Sequence, residues 1–233
     1  MRSYKIHLLR HGLTEGNQLG QYIGQRSDFP LCKEGRRELR RLLAHYEYPD
    51  IEKLYSSPLR RCLETGEILY EGFTPCPVEG LSEFDFGEFE GYAVENLPDP
   101  EKFSRFLSGQ ASEDIDAEDP KEFSHRVISA FDAVVQDIMR NEIPSAAVIT
   151  HGGVIMTILA AMGVPRRPVT DWIINSGMGY TVLVTPSVWM REHVFEVYDI
   201  IPRISRDSDD YERYYHPGEQ DAGWDDGGEE DRP

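Results

Sequence analysis

Short apolar runs alternate with amphipathic helical patterns along this chain, which is the order expected for a mostly parallel β-sheet with helices on both faces. The runs of strand length cover residues 4–9, 53–56, 146–150, 180–184 and 192–197. Arg10, His11 and Gly12 follow the first run, and the glycine allows a sharp exit from the sheet. The pattern therefore predicts an α/β fold.

Two helices are predicted from signals at their N-termini. Asp119 can cap a helix, Pro120 suits its first turn, and Glu122 stands three residues after the cap. An apolar stripe at helical spacing then runs through Phe123, Val127, Phe131, Val134, Val135 and Ile138. By the same reasoning, Ser57 caps and Pro58 begins a helix that ends near residue 70.

Two further helices are predicted from apolar spacing, over about residues 33–46 and from residue 152 through residue 162. Residues 80–119 are irregular and are punctuated by glycine and proline. We expect this segment to be a cap-like insertion over the edge of the sheet. Segments of this kind form lids and select substrates.

Helical and strand periodicity ends near residue 201, where acidic residues, glycine and tyrosine take over. We expect a catalytic domain over residues 1–200, followed by an acidic C-terminal tail over residues 201–233 that is extended or disordered. The tail is more aromatic than a plain solvating segment, through Tyr211, Tyr214, Tyr215 and Trp224. It could therefore fold back on the domain or pair with another copy, which leaves a homo-oligomer open.

The 233 residues carry 24 Lys and Arg against 42 Asp and Glu, a formal net charge of −18. Nucleic acids and anionic membranes repel an acidic protein, so we expect neither as a partner. Three cysteines without paired spacing are typical of a reducing compartment. The longest nearly apolar run, residues 154–162, is well short of the ~20 residues that span a bilayer. We therefore expect a soluble, cytoplasmic enzyme.

Histidine and arginine residues stand where predicted strands end. Arg10 and His11 follow the first strand, and His151 follows the third. If these strands are parallel neighbours, both histidines face one pocket, because open α/β sheets form their ligand crevices at the carboxyl ends of strands. Arg60 and Arg61 follow another strand end. Such a pocket favours an anion, above all a phosphate group held by guanidinium groups.

A neutral imidazole in this pocket could act as a nucleophile. Flanking guanidinium groups lower the pKa of a histidine from its usual ~6.5, so the ring is neutral at pH 7. Attack on phosphorus would give a phosphohistidine stabilised by the cations, with no metal or other cofactor, but an acid must protonate the leaving group. His7 and His11 form an HxxxH pair, yet on a strand they lie about 13 Å apart, too far to share a metal ion.

Four segments resemble, in order and spacing, those of the histidine phosphatase superfamily, which contains the cofactor-dependent phosphoglycerate mutases and many small phosphatases. The segments are LRHGLTEGN, SSPLRRCLET, LSEFDFGEFEG and THGGVI, and the resemblance covers roughly residues 4–200. It implies a three-layer α/β fold and a phosphohistidine mechanism. The third segment is more similar to the phosphatase branch than to the mutase branch.

The resemblance also implies the roles of individual residues. His11, in the RHG motif, resembles the nucleophile, and Glu83 resembles the general acid and later base. The family's arginine falls on Arg61 rather than Arg60, with Cys62 in place of the usual alanine. The residues implied to bind the phosphate are Arg10, Asn17, Arg61 and His151.

Several alternatives stay open at this point. Asp85, Glu88 and Glu90 lie near Glu83 in sequence, and any of them could supply the proton. The predicted reaction is hydrolysis of a small phosphomonoester, so the expected partner is a small phosphorylated metabolite. A phosphoglycerate-type mutase with the same intermediate and a phosphoester-binding protein without turnover are the two alternative functions.

Overall fold

The computed structural model describes residues 3–108 and 116–205, together with Ser208, Asp210, Tyr211 and Tyr214. The described strands are β1 (Tyr4–Arg10), β2 (Lys53–Ser56), β3 (Cys76–Pro77), β4 (Ser145–Thr150), β5 (Gly163–Val164), β6 (Gly179–Val184) and β7 (Phe195–Ile201). They form one sheet in the order β3-β2-β4-β1-β6-β7-β5. The pairs β3–β2, β2–β4, β4–β1 and β7–β5 are parallel, and β6 runs antiparallel to β1 and β7. The predicted α/β class with a mostly parallel sheet is confirmed.

The described helices are α1 (Glu15–Gln18), α2 (Lys33–His45), α3 (Arg60–Leu69), α4 (Pro100–Leu107), α5 (Pro120–Arg140), α6 (Gly152–Met162) and α7 (Pro186–Glu192). The start of α5 is as predicted, because Asp119 Oδ1 accepts hydrogen bonds from Lys121 N at 2.8 Å and from Glu122 N at 3.3 Å. None of these helices is long and apolar enough to cross a membrane.

Helices cover both faces of the sheet, as the alternation of side chains along β4 shows. Ala146 and Val148 belong to one apolar cluster, which holds the buried faces of α5 and α6. Ala147 and Ile149 belong to a second cluster, which includes Leu39 of α2 and residues of α3. The result is the three-layer arrangement implied by the resemblance.

The predicted start of the helix after β2 is wrong. The helix α3 begins at Arg60, with Leu59 as an N-cap that makes no side-chain capping bond. The Ser57 hydroxyl lies 2.8 Å from Nε2 of His151 instead. A buried polar group needs a partner, and the shorter contact of this hydroxyl is the imidazole, while a longer hydrogen bond comes from Leu59 N at 3.4 Å, ahead of the first turn of α3.

The last strands also differ in part from the prediction. The strand β6 matches its predicted run closely, but β7 lies later than the predicted residues 192–197. Glu192, the expected first residue of the strand, is the last residue of α7, and His193 caps that helix in a left-handed conformation with a φ of 49°.

The segment 80–119 contains α4 and 3-10 helices over Glu79–Leu81, Gly87–Phe89 and Val94–Asn96. Aromatic rings hold this segment together, with ring centroids 4.8 to 6.5 Å apart among Phe84, Phe86, Phe89, Phe103 and Phe106. Residues 109–115 lie outside the described residues. A cap-like role for the segment therefore stays a prediction.

The described residues beyond β7 pack against the domain. Ile204 and Tyr214 are 3% and 4% exposed, and Asp210 forms an ion pair with Arg41 of α2 at 2.5 Å. These residues fold back on the domain, the alternative that the aromatic content of the tail left open, and an extended or disordered tail over residues 201–233 as a whole stays a prediction. Tyr215 and Trp224 lie outside the described residues.

Candidate active site

His11 lies at the carboxyl end of β1 and is only 4% exposed. Its Nδ1 is 2.6 Å from the carbonyl oxygen of Gly12. A carbonyl oxygen can only accept a hydrogen bond, so Nδ1 carries the proton and the neutral ring keeps a lone pair on Nε2. The tautomer of His11 is thus fixed locally, because the partner of the ring is the next residue along the chain.

His151 lies beside His11 because β4 is the parallel neighbour of β1. The register pairs Arg10 with Thr150, and the backbone N–H of His11 donates to Thr150 O at 2.9 Å. The two imidazole centroids are 5.1 Å apart, with an angle of 64° between the ring planes. Both rings can therefore touch one tetrahedral anion, as the sequence interpretation requires.

The ring of His151 is fully buried and both of its nitrogens have partners. Arg61 Nε donates to Nδ1 at 3.3 Å. In a neutral ring the proton is then on Nε2, which donates to the Ser57 hydroxyl at 2.8 Å. His151 thus carries its proton on Nε2, where the Ser57 hydroxyl accepts the hydrogen bond.

Burial lowers the pKa of both histidines well below the usual 6.5. The positive charge of Arg61 is the second cause in each case, and Arg10 adds to it. For His11, the hydrogen bond to Gly12 acts weakly in the opposite direction. The rings are therefore neutral at pH 7, chiefly because of burial rather than because of the flanking guanidinium groups.

Arg61 is fully buried in the first turn of α3. Its Nη1 donates to Ser27 O at 2.7 Å and its Nη2 donates to Gly24 O at 3.0 Å. With the bond to His151, three of the five guanidinium N–H groups have protein acceptors, which fixes the plane of the group. Arg60, by contrast, has a side chain that is 57% exposed, so the structure places Arg61 and not Arg60 beside the histidines.

Arg10 is held by the loop that precedes β6. Its Nη1 donates to Ile174 O at 2.7 Å, its backbone N–H donates to Met178 O, and its carbonyl oxygen accepts from Gly177 N. The guanidinium also lies against the start of α6, where a Cβ on Gly152 would be 3.6 Å from Arg10 Nε. Arg10 therefore stands between the histidine pair and the loop.

Glu83 is buried at the N-terminus of α6. Its Oε2 accepts from Gly153 N at 3.2 Å, and its Oε1 accepts from Phe84 N at 2.9 Å. Burial raises the pKa of the carboxyl above its usual 4.5, although these hydrogen bonds and the charges of Arg61 and Arg10 partly oppose the shift. A buried carboxyl group with a raised pKa is suited to proton transfer.

The other acidic residues of this segment are engaged elsewhere. Asp85 forms an ion pair with Arg26 at 2.8 Å, and the half-exposed Glu88 pairs with Lys102 at 2.7 Å. Glu90 accepts a hydrogen bond from Ser27 Oγ at 2.6 Å. Of the four candidates, Glu83 is the one that contacts the helix following His151.

Asn17 lies in α1 and is half-buried. Its Oδ1 accepts hydrogen bonds from Thr14 N at 3.2 Å and from Thr14 Oγ1 at 2.9 Å, in a capping box at the start of the helix. The carbonyl side of the amide therefore stabilises the turn after the RHG motif. Only its Nδ2 group can donate to an anion.

Two residues beside His151 have contacts that the sequence does not predict. Ser57, predicted to be a helix cap, contacts the imidazole, and so does Cys62, which stands in place of the family's usual alanine. Cys62 Sγ lies 3.5 Å from Nε2 of His151 and 3.6 Å from Thr150 O, and burial raises the pKa of its thiol to about 12. The SSPLRRCLET segment contained both residues, but only the fold shows that they surround an imidazole.

Among the described residues, no group of three or more His, Cys, Asp and Glu side chains is arranged to hold a metal ion. The site instead combines two neutral imidazoles, two guanidinium groups and one carboxyl group. Such a set can bind a tetrahedral anion, attack its central atom and move a proton.

Known proteins that are similar to this chain include two whose names describe phosphatase activity. The chain is 27% identical over 166 residues to 6-phosphofructo-2-kinase/fructose-2,6-bisphosphatase of Aquarana catesbeiana, which covers 66% of this chain and 32% of that protein. It is 32% identical over 105 residues to an acid phosphatase of Mycobacterium tuberculosis, which covers 43% and 50% of the two chains. The chain spans less than two thirds of the length of these curated relatives.

A solved structure, the phosphoglycerate mutase from Thermus thermophilus, aligns with a TM-score of 0.62 and 29% identity, over 86% of this chain and 99% of that one. The family model described as the histidine phosphatase superfamily (branch 1) matches residues 6–189. That match covers most of the chain and includes both strand ends that carry the histidines. The protein therefore belongs to the histidine phosphatase superfamily.

Proposed function

We propose that the protein is a phosphatase that hydrolyses a small phosphomonoester through a phosphohistidine on His11. One observation carries the proposal: the hydrogen bond from His11 Nδ1 to Gly12 O leaves the Nε2 lone pair in a pocket that also holds Arg61 and Glu83. A nucleophile, a cation and an acid are the three groups that this reaction needs.

In the first step, Nε2 of His11 attacks phosphorus in line with the leaving oxygen. The P–N bond forms as the P–O bond to the alcohol breaks, and the protonated carboxyl of Glu83 gives its proton to that oxygen. The raised pKa of Glu83 favours the protonated form that this step requires. The positive charge that develops on the imidazole is shared through the Nδ1–H bond to Gly12 O.

In the second step, the Glu83 carboxylate takes a proton from water as the water oxygen attacks phosphorus. The P–N bond breaks, inorganic phosphate leaves, and both His11 and Glu83 return to their starting protonation states. The same carboxyl group thus acts first as acid and then as base.

Arg10, Arg61, Asn17 and His151 would bind the phosphate oxygens. Arg61 would use its two remaining N–H groups, and Asn17 its Nδ2 group. His151 would give its Nε2–H to a phosphate oxygen in place of the Ser57 hydroxyl. This exchange of acceptor needs no change in the protonation state of the ring.

The test is a phosphate-release assay over phosphorylated sugars, nucleotides and glycolytic acids, with the His11→Ala variant as the blank. A brief reaction with a radiolabelled substrate, quenched in alkali, should trap a base-stable and acid-labile phosphoenzyme in the wild type only. Turnover without such a species, or turnover retained by the variant, would remove the intermediate from the proposal.

The alternative of a mutase is favoured by the likeness to the Thermus thermophilus protein. Incubation with a phosphoglycerate separates the two functions. Interconversion of isomers without stoichiometric release of phosphate would establish the mutase. Phosphate binding without release, and without phosphohistidine, would instead indicate a binding protein.

A further inference from the structure

A segment near the C-terminus packs against α2 and also contacts the loop before β6, which holds Arg10. We call it the C-terminal strap and define it by its described residues Ser208, Asp210, Tyr211 and Tyr214. The carboxylate of Asp210 accepts two hydrogen bonds from Arg41 Nη2, at 2.5 and 2.7 Å, and one from the Tyr46 hydroxyl at 2.6 Å. A guanidinium–carboxylate contact of this kind orders both partners.

Tyr214 connects this docking site to the loop before β6. Its ring is 4% exposed, and its hydroxyl contacts Glu38 and accepts from Arg41 Nη1 at 2.9 Å. Its backbone carbonyl oxygen accepts from Asn175 Nδ2 at 3.0 Å. One residue of the strap therefore contacts both α2 and the loop.

The same loop supplies the groups that hold Arg10. Ile174 O accepts from Arg10 Nη1 at 2.7 Å, one residue before Asn175. Gly177 N donates to Arg10 O at 3.0 Å, and the Tyr48 hydroxyl donates to Gly177 O at 2.8 Å. Hydrogen bonds, joined through the covalent frame of Tyr214 and the peptide between Ile174 and Asn175, thus connect Arg41 to Arg10.

We propose that the C-terminal strap is a positioning device for Arg10 and acts through Asn175. With the strap docked, Asn175 fixes the peptide that follows Ile174, and Ile174 O holds the guanidinium of Arg10 in place for an anion. Without the docked strap, the loop samples more conformations. Phosphate binding must then order Arg10 as well, which raises the dissociation constant for phosphate. The inference rests on the proposed role of Arg10 as a phosphate ligand.

The acidic tail, which the proposed catalytic steps do not use, thereby gains a role in binding. Asp210 pairs with Arg41, a cation outside the site that Glu38 also contacts, so the negative charge of the tail is partly offset there and not at the arginines of the pocket. Arg41 and Arg10 lie at opposite ends of the same series of contacts.

The test compares Arg41→Ala and Asn175→Ala with Arg40→Ala, a matched control on the exposed face of the same helix. Isothermal titration with inorganic phosphate should give dissociation constants raised about 3- to 10-fold in the first two variants, as expected for a loosened hydrogen-bond partner of a charged ligand. The control should stay within about twofold of the wild type. The double variant should lose no more than the larger single loss, because both changes act through one series of contacts.

Hydrogen exchange gives a readout that needs neither binding nor turnover. In both test variants the amide of Gly177, which donates to Arg10 O, should exchange faster than in the wild type, at unchanged far-UV circular dichroism. A folded Arg41→Ala variant with wild-type phosphate affinity and wild-type Gly177 exchange would overturn the proposal, as would additive losses in the double variant. Binding of phosphate by a wild type that does not hydrolyse esters would remove the proposed phosphatase but leave this test intact.

Discussion

Replacement of Glu83 by Gln tests the assignment of the proton donor. Glutamine keeps the shape of the side chain, and its oxygen can still accept from Gly153 N or Phe84 N, as the carboxylate does at 3.2 and 2.9 Å. It has no proton to give to a leaving group. We therefore expect the fold and phosphate binding to survive while proton transfer is lost.

The size of the effect should depend on the leaving group. General acid catalysis contributes roughly 10²- to 10⁴-fold, or about 3 to 5 kcal/mol of the barrier, for alcohols that leave as poor alkoxides. Alkyl phosphates should therefore lose about that factor in kcat/KM. An activated aryl phosphate leaves without protonation and should lose less than about tenfold.

The pH profile gives a second measure of the same group. Because burial raises the pKa of Glu83, its acid form persists above pH 4.5, and hydrolysis of alkyl esters by the wild type should fall as pH rises through that raised value. On the acidic side, activity should fall only well below pH 6.5, where His11 takes a proton. The Glu83→Gln variant should lack the alkaline limb and keep the acidic one.

Initial rates on an alkyl and a nitrophenyl phosphate, measured from pH 4 to 9, supply both comparisons. Glu88→Gln is the matched control, because Glu88 is half-exposed and pairs with Lys102 outside the pocket. Equal losses on the two substrates in Glu83→Gln, or a loss in Glu88→Gln of the same size, would refute the role given to Glu83.

Four further outcomes are expected. His11→Ala should abolish phosphoenzyme formation while phosphate still binds, as gel radiography and calorimetry can measure. Ser57→Ala leaves the buried Nε2–H of His151 without its acceptor and should lower the free energy of unfolding by about 1–3 kcal/mol in urea titrations. Gly153→Ala places a Cβ 2.5 Å from Glu83 Oε1 and so displaces the carboxyl group. Hydrolysis of alkyl phosphates should therefore fall at least about tenfold, even though alanine stabilises a helix by up to ~1 kcal/mol relative to glycine. Burial lowers the pKa of His7 to about 4, so on acidification the unfolded chain binds a proton at this residue before the folded protein does. The free energy of unfolding should therefore fall by roughly 2 kcal/mol from pH 7 to 5 on account of His7, and this part of the fall should be absent in His7→Gln.

The fold could be predicted where local pattern and tertiary packing agree. The apolar stripe of α5 follows one helical face with a cap at its start, and nothing in the sheet opposes it. The start of α3 could not be predicted in the same way, because Ser57 has two possible partners. The choice of the His151 imidazole over a helix end depends on β2 and β4 being neighbours, which is a long-range fact.

The pocket was predictable for a related reason. Parallel neighbours bring the residues at their carboxyl ends together, so His11 and His151 follow from the order of β1 and β4 alone. The hydrogen bonds that hold Arg10 were not predictable, because they come from the loop before β6, 164 residues later in the chain at Ile174. No pattern local to RHG carries that information.

The cause of the neutrality of His11 also follows only from the fold, and it matters for the proposed catalysis. If Arg10 and Arg61 alone lowered the pKa of His11, a bound phosphate dianion would cancel their charge and raise that pKa again in the complex. Burial is the larger cause of the lowered pKa of His11. A substrate that fills the pocket displaces water and so keeps the ring buried. In the proposed mechanism His11 would therefore keep its Nε2 lone pair with the substrate bound, which is the state that the attack requires.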